Sequence, residues 1–495
     1  MRERAFLRQR YRAIFSYTGL IGLIGGLLIL SPLALLLAFP TEKTLVWGFL
    51  APGLALSLVG GLLWRAFRPA ETVALTLQEG MVIVVLAWLL VIGFGATPFL
   101  LIGDLNFSQA IFEATSGWTT TGLSVVDVEQ ASPLILFYRS VMQLAGGAGL
   151  AIIMLSALAG PVGPGLSSAE GRSEQLLPHV QRSVKLVLTL YLGYVIVGWL
   201  ALWLAGMNWF DALTHAFAAL STGGFSTRTE SIGYWDSPLI EAVTISLMLV
   251  GTLNFLTAYT LLQGKFKAVW RNGELRLSAV LITLGVVVLL VGVTAGVYPT
   301  LGKASRVAIF ETVTALSTTG FSTVGYGNWN ALGWLVLIGL MLVGGGTGST
   351  AGGIKQYRIY ALYRGLLWEM KGMLLPKNTI TEPDIWQGEQ RQFLSDSRLR
   401  QTGLFVFLYL ITFGLGSGII AAHGYSLPES LFEFGSALGT VGLSVGVTAA
   451  TAPLGVLWTE IAGMMLGRLE FFTIFIGLTK IVTDTPAMVV PASNK

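Results

Sequence analysis

Four polar runs interrupt an apolar chain, and each repeats the same residue types at the same spacing. They are "WTTTGLS" (118–124), "LSTGGFS" (220–226), "LSTTGFS" (316–322) and "LGTVGLS" (438–444), all reading Thr-x-Gly-[Leu/Phe]-Ser. Such a run carries no clustered His/Asp/Glu set and no nucleophile elbow. It offers oxygen: backbone carbonyls and threonine hydroxyls, which together can replace water around a cation. Carbonyls that all face one axis require alternating backbone handedness, and glycine reaches φ > 0 without a Cβ penalty. The candidate filter residues are Thr120, Thr121 and Gly122; Thr222, Gly223 and Gly224; Thr318, Thr319 and Gly320; and Thr440, Val441 and Gly442. The next side chains, Leu123, Phe225, Phe321 and Leu443, are expected to pack outward.

The elements that must position these runs repeat too. The four glycines recur about 100 residues apart, too long for a solenoid of the usual 20–50 period. Nine residues before them stand Glu113, His215, Glu311 and Glu433, and further on come Gly146, Gly251, Gly344 and Gly467. The acidic positions are read as interacting with a helix N-terminal dipole. The segment before each run, such as "RVAIFETVTALS", is too short to span a bilayer and has re-entrant length. Each unit therefore reads as spanning helix, short re-entrant helix, Thr-x-Gly-x-Ser loop, spanning helix. The outer helices are expected near 75–101 and 131–160, 180–206 and 236–263, 275–299 and 330–370, and 400–422 and 453–480, after two leading spans near 14–40 and 44–66. The implied divisions are 1–70, then pore repeats at 71–165, 166–265, 266–375 and 376–495. The fold class expected is an all-α polytopic membrane protein, with two leading helices and four helix–pore-loop–helix repeats around a central pore. Irregular backbone at membrane depth is tolerated where it lines a water-filled path. Four helix C-termini aimed at one point favour a cation there.

Composition agrees. The 495 residues are 54% hydrophobic and 11% charged, against about 25% charged in soluble domains, and mean hydropathy is +0.72. Lipid is the solvent implied. There is no cysteine, which removes disulfides, thiolate catalysis and Cys-ligated metals, and His179, His215 and His423 lack metal-ligand spacing. Nothing points to nucleic acid. Of 30 Lys and Arg, Lys43, Arg139, Arg228, Lys303 and Arg306 fall on one side of this layout, Arg468 falls within a span, and the rest fall on the other side. The positive-inside rule makes that basic side, with the N-terminus "MRERAFLRQRYR", cytoplasmic, and the four polar loops open outward.

Two further features bear on conduction. "GGGTGSTAGGIK" (344–355) puts so much glycine in an apolar span that the helix must break. A phosphate-binding loop is excluded, because no Gly-Lys-Ser/Thr follows at the right spacing. A flexible polar loop on the inner side of a cation path is well placed to block it; the gate candidates are Gly344, Gly345, Gly346, Thr347, Gly348, Ser349, Thr350, Gly352 and Gly353. The second feature is Arg468, in "MMLGRLEFF", aligned with that loop because Gly467 matches Gly344. A mid-span arginine usually marks a pathway; a structural ion pair with Glu470 is the other reading.

The repeats, from about 75 to 480, resemble the TrkH/KtrB/HKT superfamily of potassium transporters; the two leading spans and the C-terminal end fit its TrkH branch. The resemblance implies that Gly122, Gly224, Gly320 and Gly442 are filter residues for K+, with Thr120, Thr222, Thr318 and Thr440 at the inner mouth. Members with serine in the first repeat tend toward sodium, so Gly122 aligns this chain with the potassium-selective set. The fourth loop departs, with Gly439 and Val441. The resemblance also implies a gate at the glycine-rich break, an arginine under the filter at Arg468, a homodimer in the bacterial cytoplasmic (inner) membrane, and a cytosolic TrkA/KtrA-type ring that supplies nucleotide binding. No nucleotide motif occurs in this chain. A solute transporter with broken helices is the alternative, disfavoured by the four-fold repeat. A membrane enzyme lacks any clustered catalytic set.

Overall fold

The computed structural model describes residues 2–69, 75–147, 149, 180–376, 383–387 and 390–489. The apolar runs become long helices. Among the described residues, six are long and apolar enough to cross a membrane: Phe6–Leu37, Pro40–Ala66, Leu77–Ile102, Leu186–Leu204, Gly273–Val297 and Asp396–Ala422. The leading pair, α1 (Arg2–Leu30) and α2 (Val46–Ala66), pack closely through small residues. A Cβ added at Gly60 would lie 2.6 Å from the Gly19 carbonyl oxygen, so the backbones approach as they do at small-residue membrane contacts.

Four helix triplets follow: α3 (Leu77–Gly95), α4 (Phe107–Trp118) and α5 (Pro133–Gly147); α6 (Val180–Leu204), α7 (Trp209–Leu220) and α8 (Pro238–Thr252); α9 (Gly273–Leu289), α10 (Leu301–Leu316) and α11 (Ala331–Val343); and, after α12 (Gln356–Leu374), α13 (Asp396–Ala422), α14 (Leu427–Gly439) and α15 (Leu454–Leu469). The middle helix of each triplet is short. All four start at a polar cap, Asn106, Asn208, Thr300 or Ser426, whose side chain accepts the amide three residues on.

The last helix differs from expectation in two of the triplets: continuous spans over 236–263 and 453–480 are not formed, whereas the break inside 330–370 falls at the glycine-rich stretch as expected. α8 stops at Thr252 with Leu253 extended, α11 stops at Val343, and α15 stops at Leu469. After α15 the chain turns by 98° into the helix Phe471–Val489, because Glu470 takes a left-handed φ of 56° and accepts from Arg358 Nη2 at 2.7 Å. The expected span over 131–160 is described only as far as α5; its remainder lies outside the described residues. The 371–400 segment contains an antiparallel hairpin, β1 (Asp384–Gln387) and β2 (Gln390–Phe393), within an otherwise helical chain. Ile385 and Leu394 are buried in one cluster with Ala361 of α12, which anchors the hairpin.

Candidate functional site: a four-loop ring and the loop beneath it

Each short helix ends in the same turn. The amides of Thr121, Gly223, Thr319 and Val441 donate to the carbonyls of Ser116, Ala218, Thr314 and Ser436, and those of Thr120, Thr222, Thr318 and Thr440 donate to Gly117, Ala219, Ala315 and Ala437. This is the Schellman pattern, whose left-handed position is usually glycine. Here it is threonine four times, with φ of 57°, 52°, 55° and 50°. A β-branched residue in that region is a genuine outlier. The sequence reading gave the threonines a hydroxyl and a carbonyl but not this backbone state.

Two residues on, Gly122, Gly224, Gly320 and Gly442 also have positive φ, of 95°, 72°, 83° and 99°. Their neighbours close a ring. A Cβ added to Gly122 would overlap the carbonyl oxygen of Gly223; at Gly224, that of Thr319; at Gly320, that of Val441; and at Gly442, that of Thr121. The four loops therefore meet in sequence order, each packed on the next and the last on the first. Leu123, Phe225, Phe321 and Leu443 are buried behind the loops. Gly223 differs from the other residues at its position: its carbonyl accepts from Gln143 Nε2 at 2.6 Å, because Gln143 fills the space a side chain would occupy. The hydroxyls of Thr120 and Thr440 are buried without a hydrogen-bond partner, whereas Thr222 donates to the Ser221 carbonyl.

Beyond the glycines the ring opens into a vestibule of about 1040 Å³, walled by residues of all four loops, among them Ser124, Ser226, Ser322 and Ser444. The acidic set nine residues upstream serves this end. These residues are not in the first turn of their helices, so the dipole reading does not hold. They reach forward to the loop instead. Glu113 accepts from Ser124 Oγ and the Val125 amide, Glu311 from Thr323 and Tyr326, and Glu433 from Ser444, Val445 and Thr448. His215 contacts Ser226 Oγ at 2.9 Å. Arg139 lies behind the first two loops, donating to Glu113 Oε1 at 2.7 Å, to Ser124 Oγ and to the Ser226 carbonyl. Gln143 and Arg139 were missed in the sequence because a single polar residue in an apolar helix has no motif around it.

The glycine-rich stretch lies at the opposite end, against the threonines. It is a loop, with Gly344, Gly348 and Gly353 at φ of 72°, 72° and 78°. The Gly352 amide donates to Thr318 Oγ1 at 2.7 Å, and a Cβ at Gly352 would overlap the Thr440 hydroxyl. Thr350 Oγ1 donates to the carbonyls of Leu220 and Gly251. The Gly345 amide donates to the Gly352 carbonyl, and the Gly346 amide and Ser349 Oγ bond the Thr252 and Gly346 carbonyls. Thr347 is held at both ends: its amide donates to Glu274 and its carbonyl accepts from Asn254. Arg468 Nη1 donates to the Thr350 carbonyl at 2.7 Å and Nη2 to the Gly146 carbonyl at 2.6 Å. The Glu470 ion pair considered for Arg468 is made by Arg358. Among the described residues, no group of three or more His, Cys, Asp or Glu could hold a resident metal.

Comparison with known proteins agrees with this architecture. The TrkH family model, described as a cation transport protein, matches residues 48–484. The chain is 31% identical over 468 residues to an uncharacterized cation transporter of Methanocaldococcus jannaschii, covering 92% of this chain and 94% of that one. It is 32% identical over 436 residues to the Trk system potassium uptake protein TrkH of Escherichia coli, covering 85% and 89%. The crystal structure of the potassium transporter TrkH from Vibrio parahaemolyticus superposes with a TM-score of 0.81 at 26% identity, over 97% of this chain and 100% of that one. With most of its length matched at both levels, and with transport rather than catalysis as the family's work, this chain belongs to the TrkH family of cation transport proteins.

Proposed function

We propose that this chain conducts potassium selectively into the cell across the cytoplasmic membrane. Ions enter from the vestibule, pass carbonyls of the four Thr-x-Gly loops, and meet a gate formed by residues 344–353 and Arg468. The observation that carries this reading is the closed ring in which each filter glycine touches the next loop's backbone. A ring with no room for a Cβ fixes the loops at one separation, and an ion of the wrong size cannot draw them in. The unpartnered hydroxyls of Thr120 and Thr440 are free to face an ion at the inner end. The relatives named for potassium uptake support the choice of ion.

The loop's contacts with Thr318 and Thr440 support its role as a gate. Control by a cytosolic nucleotide-binding ring of the TrkA/KtrA type, assembly as a homodimer and a cytoplasmic N-terminus complete the proposal. They follow from family resemblance and from the basic residues that favour one side of the bilayer. Ion-coupled uptake of a small solute is the competing function.

The test is flux into liposomes with potassium, rubidium, sodium and lithium, for the wild type, Gly122→Ser and Gly320→Ser. Serine adds a Cβ where Gly223 or Val441 oxygen already sits, at positive φ. The expected result is a lower potassium-to-sodium ratio in both variants. An unchanged ratio at normal expression refutes the filter.

A further inference from the structure

The first and fourth repeats are built alike behind the filter but differ in one charge. Gly146 and Gly467 occupy equivalent places: a Cβ on either would overlap the carbonyl oxygen of the residue four before the filter glycine, Trp118 or Leu438, and would lie 3.4 Å from the filter threonine's Cγ2. Seven residues before these glycines stand Arg139 in the first repeat and Glu460 in the fourth. The partner across the gap is the same in both, Glu113 or Glu433. Glu113 has the Arg139 guanidinium. Glu433 faces a second carboxyl instead.

The two carboxyls meet at one residue. Glu433 Oε1 accepts the Thr448 amide at 2.9 Å, and Glu460 Oε1 accepts the Thr448 hydroxyl at 3.0 Å. Both glutamates are fully buried, and among the described residues neither is paired with a basic side chain. Glu433 also accepts from Ser444 Oγ and the Val445 amide, so its charge is well solvated by donors. Glu460 Oε2 has no partner. Two buried carboxyls that meet at one threonine and lack a basic partner disfavour double ionisation, so one keeps a proton. Glu460, with an oxygen free to carry that proton, is its place.

We propose that Glu433 and Glu460 share one proton, and that this proton positions the fourth filter loop, so that ion selectivity declines when alkaline pH removes it. The inference rests on the filter reading above. Glu433 holds residues 444, 445 and 448, immediately beyond Gly442. A second negative charge repels Glu433 from its place and slackens the loop it clamps. Thr448 lines the vestibule, which gives the proton a short way out.

Other ionisable groups stand on the elements packed around the pair, and most of them have partners of their own. Glu113 is held by Arg139, and Glu429 caps its own helix at Ser426. Arg468 binds carbonyls, and Asp484 pairs with Lys480. Tyr409 and His423 lie on α13 and at its end, and Asp396, Arg398 and Arg400 lie at that helix's other end.

Potassium and sodium permeability are measured in liposomes with equal pH on both faces, from about pH 6 to about pH 9, the range that buried carboxyls reach. The wild-type ratio is expected to fall about threefold or more across this range, a change of roughly 0.7 kcal/mol. Glu460→Gln keeps the acceptor for Thr448 and removes the group that can take a second negative charge beside Glu433, so its ratio should stay high and flat. Difference infrared spectra of the wild type should show the carbonyl stretch of a protonated carboxylic acid, lost in Glu460→Gln. A pH profile shared by wild type and Glu460→Gln overturns the proposal, as does a wild type without that band, or a profile that follows sodium concentration instead of pH. Absence of selectivity at every pH would instead overturn the filter reading, and the infrared band judges the shared proton independently of flux.

Discussion

Thr318 is hydrogen-bonded to the glycine-rich loop, at the contact between the proposed filter and the proposed gate. Its hydroxyl accepts the Gly352 amide, while the matching hydroxyls of Thr120 and Thr440 have no partner. One net hydrogen bond is worth about 1 kcal/mol, or roughly a fivefold change in an equilibrium. Thr318→Ala should therefore raise basal rubidium flux about fivefold, and Thr120→Ala should not. Equal effects of the two substitutions would mean that the Thr318 contact does not hold the gate. The sequence made the threonines and glycines of the four loops legible because their spacing repeats four times. It did not reveal their backbone state. Threonine in a left-handed cap contradicts propensity, and only the tertiary ring that holds each loop against the next makes it tolerable. Gln143, Arg139 and Glu460 were invisible for another reason. Each acts on a loop far away in sequence, and no local pattern marks such a contact.

At the scale of elements, helix existence was readable and helix continuity only in part. The short helices were legible from their length between two spans, while their caps, Asn106, Asn208, Thr300 and Ser426, emerge only in the structure. The glycine-rich break after Val343 was likewise plain from composition. The breaks at Leu253 and Glu470 were not, since "GTLNFL" and "GRLEFF" contain no run of helix breakers. The bend at Glu470 depends on Arg358, the cation next to the glycine-rich loop, which also lies 3.8 Å above the Phe405 ring. Both side chains of the pair are mostly buried. Glu470→Ala leaves Arg358 unpaired and should cost about 3 kcal/mol of stability, the range for breaking a buried pair. Thermal unfolding in detergent measures this. A midpoint unchanged from wild type would show that the bend is fixed by packing alone. The hairpin at 384–393 escaped the sequence reading too, because its apolar partners are on α12 and not on the strands themselves.

Across the whole molecule, Arg468 ties three repeats together. It belongs to the fourth, donates to Thr350 in the third and donates to Gly146 in the first. A guanidinium is always charged and presents its donors in a planar fork, so it can bind two carbonyls while keeping a positive charge beneath the four loops. At about 4 Å and an effective dielectric near 20, one unit charge opposes another by roughly 4 kcal/mol. Water in the path reduces this, but a tenfold rate effect needs only about 1.4 kcal/mol. Arg468→Ala should thus raise rubidium flux per folded molecule tenfold or more. Arg468→Lys should retain part of the charge barrier, yet a single ammonium cannot reproduce the fork between the Thr350 and Gly146 carbonyls, so its flux should fall between the two. The alternative is that Arg468 only braces the repeats. Bracing predicts lower stability for both variants with flux per folded molecule unchanged. Because Glu470 is already paired with Arg358, removing Arg468 strands no carboxylate there. A loss of stability would then report the two carbonyl contacts, and a gain of flux would report the barrier, so the two measurements on the same variants separate the roles.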